Sequence, residues 1–135
     1  GSPEFLVSRM AKKYGADDYC GTVYHYDGEK FTGETTPMWD SVSKQKAIDK
    51  FVEKYNIDLK KSYAYGDTNG DLTMMKSVGH PITINPAKVF LKSIQENKSL
   101  KNKIQIIVER KDVIYKLRSD VDIYECSFIE DLEEE

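Results

Sequence analysis

Cysteine is nearly absent from the sequence: two in 135 residues, Cys20 and Cys126, far apart and in no CxxC or Cys/His cluster. That pattern excludes a disulfide scaffold and a zinc module, and predicts two free, buried thiols and a cytoplasmic address. No apolar run approaches the roughly 20 residues of a membrane span, and no secretory leader is visible. Charge of one sign is lacking too. Acids and bases are mixed and the formal net charge is −3, so bulk charge recruits neither nucleic acid nor a membrane surface. A local basic pocket remains open. The two histidines, His25 in a strand pattern and His80 in a loop, read as structural or solvent-exposed. Repeats and low-complexity linkers are missing, and the length suits one domain with a real core.

What is present alternates between helix and strand. Phe5, Leu6, Met10 and Tyr14 fall at helical spacing over residues 4–14, with Gly15 as a C-cap. Residues 22–26 and 30–34, "TVYHY" and "KFTGE", predict a hairpin turning at Asp27-Gly28. Ala47, Ile48 and Phe51 mark one face of a helix over 43–55, for which Ser43 is a plausible N-cap. "SYAYG" and "PITIN" predict strands of a covered parallel sheet, with a short Leu72–Val78 helix between them and a longer one in "AKVFLKSIQEN". Strand–helix–strand–helix order implies a right-handed α/β unit. "IQIIVERKDVIYKL" carries strand-like runs without an evident place in that order. The carboxyl end, "FIEDLEEE", reads as a solvated acidic tail. Trp39 either packs the loop before the 43–55 helix, which we expect, or lines an entrance.

The informative stretch is "KKSYAYGDTNGDLTMMKSVGHPITINP", with Asp67 and Asp71 flanking a glycine-bearing turn. A calcium loop fits Asp67, Asn69 and Asp71 at positions 1, 3 and 5. It fails at position 6, Leu72, where the turn needs glycine, and at position 12, Val78, where a bidentate Glu belongs. Helix capping accounts for one carboxylate, not two. Ligands of open α/β sheets gather at the carboxyl ends of strands, and Asp67 follows such an end. Two carboxylates there suit Mg²⁺, which takes few protein ligands and keeps waters and phosphate oxygens.

These residues resemble the haloacid dehalogenase superfamily of phosphatases, in its phosphoserine phosphatase-like branch. "YAYGDTNGDLTMMKSVGHPITINP" is similar to the family's GDxxxD motif, Met-containing helix and strand ending in Asn-Pro. "SVSKQKAIDKF" resembles its lysine motif, and "YGADDYCGTVYHYDGEKFTGE" the segment after its second motif. The likeness runs over residues 2–92. It implies a Rossmann-like parallel sheet with flanking helices, incomplete in this chain, and a Mg²⁺-dependent phosphomonoester hydrolase acting on a small phosphorylated metabolite. Asp67 would ligate Mg²⁺ directly, and Asp71 would hold it through water or fix the geometry around it. Lys44 would be the cation facing the nucleophile and the phosphoryl group. Lys46 is its rival, but Lys44 places Ile48 and Phe51 at the family's apolar offsets.

The family's nucleophile is an aspartate in an N-terminal DxDx[TV] motif. The one DxD here, Asp120 to Asp122, follows polar "KLRS" and lacks the Thr or Val, so it reads as a decoy. Residues 6–118 therefore resemble the carboxyl-terminal part of the hydrolase domain, with 119–135 as the tail. "GSPEF" at 1–5 matches a cloning remnant or the family's own S-x-S-P-E-F run equally well. Such a chain is expected to be inactive by itself and to associate with its own copies or with the missing amino-terminal part. The alternative is a non-catalytic binding or regulatory domain that keeps the fold.

Overall fold

The computed structural model describes residues 1–124; Cys126 and most of the acidic tail, with the expectations placed on them, lie outside the described residues. Helix α1, Glu4–Tyr14, ends as its sequence dictates: Gly15 adopts the left-handed conformation at φ 69° and returns its N–H to the Ala11 carbonyl. Residues just before α1 are tied down. The amide of Glu4 donates to the Thr22 carbonyl and that of Thr22 to the Ser2 carbonyl, an isolated parallel bridge between Pro3 and Thr22.

Strands β1, Val23–Asp27, and β2, Lys30–Thr36, form the expected antiparallel hairpin. Its turn is Gly28-Glu29 rather than Asp27-Gly28, because Asp27 pairs with Lys30 and the positive φ falls on Gly28. His25 sits where the register shifts, and its Nε2 lies 2.8 Å from Thr36 Oγ1, a structural bond.

Helix α2 spans Ser41–Tyr55, and its cap is Asp40, not Ser43. The Asp40 carboxylate accepts from the amides of Val42 and Ser43, while Ser43 lies inside the first turn and donates its hydroxyl back to Asp40. An acceptor-only carboxylate at the positive end of a helix outcompetes a hydroxyl two positions in. At the other end, Asp18 accepts from Lys54 Nζ and Tyr55 Oη, each at 2.8 Å, and pins the α1–β1 connection to α2. Those bonds, with one from the Tyr19 amide, hold the Asp18 carboxyl down at about 2.

The main sheet runs β3-β4-β5-β6, with β3 Tyr63–Gly66, β4 His80–Ile84, β5 Gln105–Glu109 and β6 Ile114–Leu117. The first three are parallel. The fourth returns antiparallel to β5, which places the strand-like runs that the periodicity alone did not. Helices α3, Leu72–Ser77, α4, Lys88–Glu96, and α5, Lys98–Lys101, supply the core. Met75, Phe90, Ile94, Leu100 and Ile106 are fully buried, with Ala64 of β3 and Pro81 of β4 beneath them. Strand alternation turns Tyr63 and Tyr65 to the opposite side, where they are 62% and 57% exposed. His80 begins β4 rather than occupying a loop, and its ring stacks on Tyr63 with centroids 4.7 Å apart. Among the described residues β3 is an edge strand, and no helix is long and apolar enough to cross a membrane.

Phe90 sits at the middle of this core, against a shell with little freedom to collapse. Phe90→Ala should cost about 3–5 kcal/mol in urea unfolding, whereas Val42→Ala, on the solvent face of α2, should stay within about 0.5 kcal/mol.

Candidate metal and phosphate site

The turn after β3 is built around one buried carboxylate. Asp71 has a side chain only 8% exposed, and its oxygens are heavily used. Oδ1 accepts from Lys44 Nζ at 2.5 Å, and Oδ2 accepts from the amides of Asp67 and Thr68 at 3.2 Å and the Thr68 hydroxyl at 3.3 Å. A carboxylate offers about four lone-pair directions, so Oδ2 has no capacity left. Burial pushes the Asp71 carboxyl up. The Lys44 ammonium and then the Thr68 amide, with a smaller share from the Asp67 amide, more than offset it, and the group is held below its ordinary value.

Two glycines make room for this arrangement. A Cβ on Gly66, the last residue of β3, would stand 2.5 Å from the Asp71 Cγ. A Cβ on Gly70 would stand 2.9 Å from the Trp39 carbonyl oxygen and 3.6 Å from Lys44 Nζ. Both positions must lack a side chain for the turn, α2 and the segment before α2 to approach one another.

Asp67 is held differently. Its backbone is fixed at both ends: the amide donates to Asp71, and the carbonyl accepts from Ala87 at 3.0 Å at the start of α4. The β4 end that leads there is itself braced. Asn85, at φ 49°, donates its amide to the Ile107 carbonyl and accepts the Glu109 amide on its side chain. The Asp67 side chain, in contrast, is exposed and makes no hydrogen bond or ion pair among the described residues. One carboxylate is therefore rigidly placed and free to take a ligand, and the other is committed to holding the turn.

The three residues singled out in the sequence, Lys44, Asp67 and Asp71, meet at the carboxyl end of β3. Lys46 does not join them; it is exposed on another side of α2. No group of three or more Asp, Glu, His or Cys side chains able to hold a metal gathers among the described residues, and the one unpaired carboxylate at this turn is Asp67. Its chemistry fits a hard cation that keeps most of its shell as water or phosphate oxygen. Beside Lys44 and Asp71 a cavity of about 400 Å³ opens against Ile48, Phe51 and Met74. Trp39 departs from the expected packing role: its indole is 52% exposed, and its backbone rather than its ring meets the turn. Cys20 is only half-buried, and burial pushes its thiol up, the opposite of an activated nucleophile. Asp120 pairs with exposed Arg118 and Asp122 is exposed, both away from the site. Sequence reasoning missed Asp40 and Thr68. The signal was there in both: an Asp before the first apolar helical residue, and a Thr three residues before Asp71 forming a reciprocal capping box.

A folded carboxyl held below its unfolded value of 3.8 releases its proton more readily than the unfolded chain does. The Asp71 contribution is thus whole above about pH 4 and drains away as pH falls below it. Asp71→Asn should flatten that acid limb of stability below about pH 4, leaving the part that Asp18 supplies in the same direction. Unfolding by urea at stepped pH measures it; an unchanged limb would mean the pair with Lys44 contributes nothing.

Comparison with known proteins places the fold in a family. The model of the family described as haloacid dehalogenase-like hydrolase matches residues 1–76. A protein of Mycobacterium tuberculosis strain H37Rv named "Probable phosphatase" is 32% identical over 85 residues, which cover 63% of this chain and 30% of that protein. The "Inhibition of morphological differentiation protein" of Streptomyces azureus is 35% identical over 83 residues, covering 60% and 30%. The chain thus spans about a third of the length of these curated relatives. In fold it is similar to a substrate-bound phosphoserine phosphatase, with TM-score 0.63 and 23% identity over 83% of this chain and 49% of that one. An apo phosphoserine phosphatase gives TM-score 0.62 and 23% identity over 83% and 52%. With the family model matching more than half of its residues, the chain belongs to the haloacid dehalogenase-like hydrolase family.

Proposed function

We propose that this chain is the metal- and phosphate-binding part of a Mg²⁺-dependent phosphomonoester phosphatase. The observation that carries the reading is the division of labour at the end of β3, where a saturated, buried Asp71 fixes both an ammonium and the backbone of an unsaturated, exposed Asp67.

In this reading Asp67 is the direct ligand of Mg²⁺, and Asp71 sets the position of Asp67 and Lys44 without ligating. Mg²⁺, when bound, neutralises phosphate oxygens and favours charge that develops on them. The chain's own residues do the rest. Lys44 holds a fixed positive charge where a phosphoryl group and its attacking carboxylate meet, and it reorganises little because Asp71 already orients it. Gly66 and Gly70 let Asp71 and the Trp39 carbonyl pack against the turn, which keeps Lys44 and the Asp67 backbone in place. The nucleophile is a carboxylate that attacks phosphorus as the alcohol leaves, giving an aspartyl-phosphate that water then hydrolyses. Among the described residues only Asp71 bonds to Lys44, and its geometry leaves it no freedom to attack.

We therefore place the nucleophile on a segment outside these 135 residues. The free edge of β3 offers backbone groups to an added strand. Alongside it lies an apolar groove on Ile48, Phe51, Tyr63, Tyr65 and Met74 that continues to Lys44 and Asp71. A strand seated there, parallel to β3, would end with its carboxylate beside the Lys44 ammonium. A small phosphorylated metabolite is the substrate class.

The purified 135-residue chain should not hydrolyse phosphoserine or an aryl phosphate, and should bind Mg²⁺ only weakly, with binding lost in Asp67→Asn. In a form of the protein that carries the nucleophile, Lys44→Ala should lower turnover about 10²–10³-fold, with Lys46→Ala near wild type. Mg²⁺-dependent turnover by the chain as a monomer, or equal effects of the two lysines, would overturn the assignment.

A further inference from the structure

Lys46, the lysine that does not reach Asp71, faces another feature. A cavity of about 560 Å³ lies between the first half of α2 and the segments entering β1 and leaving β2. Its floor is apolar, formed by Cys20, Pro37, Met38 and Phe51. Lys46 and Lys50, four residues and so one helical turn apart, stand at its rim. Both are exposed, and neither takes part in an ion pair or hydrogen bond among the described residues. The acid in the lining, Asp40, offsets one of the two positive charges, but it is bonded to Val42 and Ser43 at the start of α2 and pairs with neither lysine. Asp49, on the same helix, accepts from Gln45 instead.

Unpaired positive charge over an apolar floor has a specific complement. The volume falls in the range of small-molecule sites, which combine apolar lining with a few polar groups that orient the ligand. We propose that this cavity is a binding site for a small amphiphilic carboxylate, with its hydrocarbon body on Met38 and Phe51 and its head between Lys46 and Lys50. The cavity shares Cys20, Met38, Ala47 and Phe51 with the one beside Lys44 and Asp71, while Lys46 and Lys50 line this cavity only, so the proposal does not depend on the phosphatase reading.

The test uses octanoate, with octanol as its neutral counterpart, titrated into the 135-residue chain by calorimetry and by amide shifts in NMR. Octanoate should bind about fivefold more tightly than octanol, as expected for two exposed ammonium partners, with shifts centred on residues 36–51. The Lys46→Gln, Lys50→Gln double variant should bring octanoate down to the level of octanol and leave octanol unchanged. Both substitutions are on the solvent face, so folding is not at stake. Equal affinities, an unaffected double variant, no binding of either probe, or shifts mapping elsewhere would overturn the proposal. So would shifts of the same residues on raising protein concentration alone, which would make a second copy of the chain the occupant.

Discussion

The ion pair between Lys44 and Asp71 is the constraint on which the rest of the site depends. It joins residues far apart in sequence, one on α2 and one at the start of α3, and it sits at the carboxyl end of β3. A buried pair is a weak source of net stability, since desolvation offsets much of the attraction. Its value here is positional. With the ammonium on one oxygen and three donors on the other, the Asp71 carboxylate fixes a helix, a turn and the backbone that presents Asp67.

That constraint explains features otherwise unrelated. Gly66 has no side chain because the Asp71 carboxylate lies over it, and Gly70 none because the Trp39 carbonyl and Lys44 converge on it. Asp40 caps α2 just after Trp39 carries the chain past Gly70, so the start of the helix and the lysine one turn on are set by a single approach. The far side of the turn is fastened through the Asp67 carbonyl to α4, and through Asn85 to β5. Every one of these contacts acts on backbone or on Lys44 and leaves the Asp67 carboxylate unpaired. The rigid frame and the open ligand position arise from one arrangement.

Much of this was legible in the sequence, for physical reasons. Helix α1 announced itself through periodic Phe5, Leu6 and Met10 and a Gly15 that can adopt positive φ. "YAYG" and "PITIN" carried the β-branched and aromatic content of strands, though the Tyr63 and Tyr65 face of β3 is exposed rather than covered, and the two aspartates bracketed their turn. Lys44 was distinguishable from Lys46 only through the resemblance, which sets Ile48 and Phe51 at the family's apolar offsets from it. Other features were hidden because they depend on tertiary geometry. The antiparallel return of β6 follows from pairing rather than from pattern. The α2 cap is local rather than tertiary: Asp40 stands directly before the helix, and its carboxylate prevails over Ser43. Trp39 looked like a core residue by type, yet its backbone is what the structure uses.

The direct test of the account is a double-mutant cycle on Lys44 and Asp71, followed by urea unfolding and by hydrogen exchange at the amides of Asp67 and Thr68. The account predicts a coupling of about 1.5–3 kcal/mol, as for a charged hydrogen bond, and faster exchange at both amides in Asp71→Ala. Additive single effects, with the Asp67 and Thr68 amides as protected in Asp71→Ala as in the wild type, would contradict it.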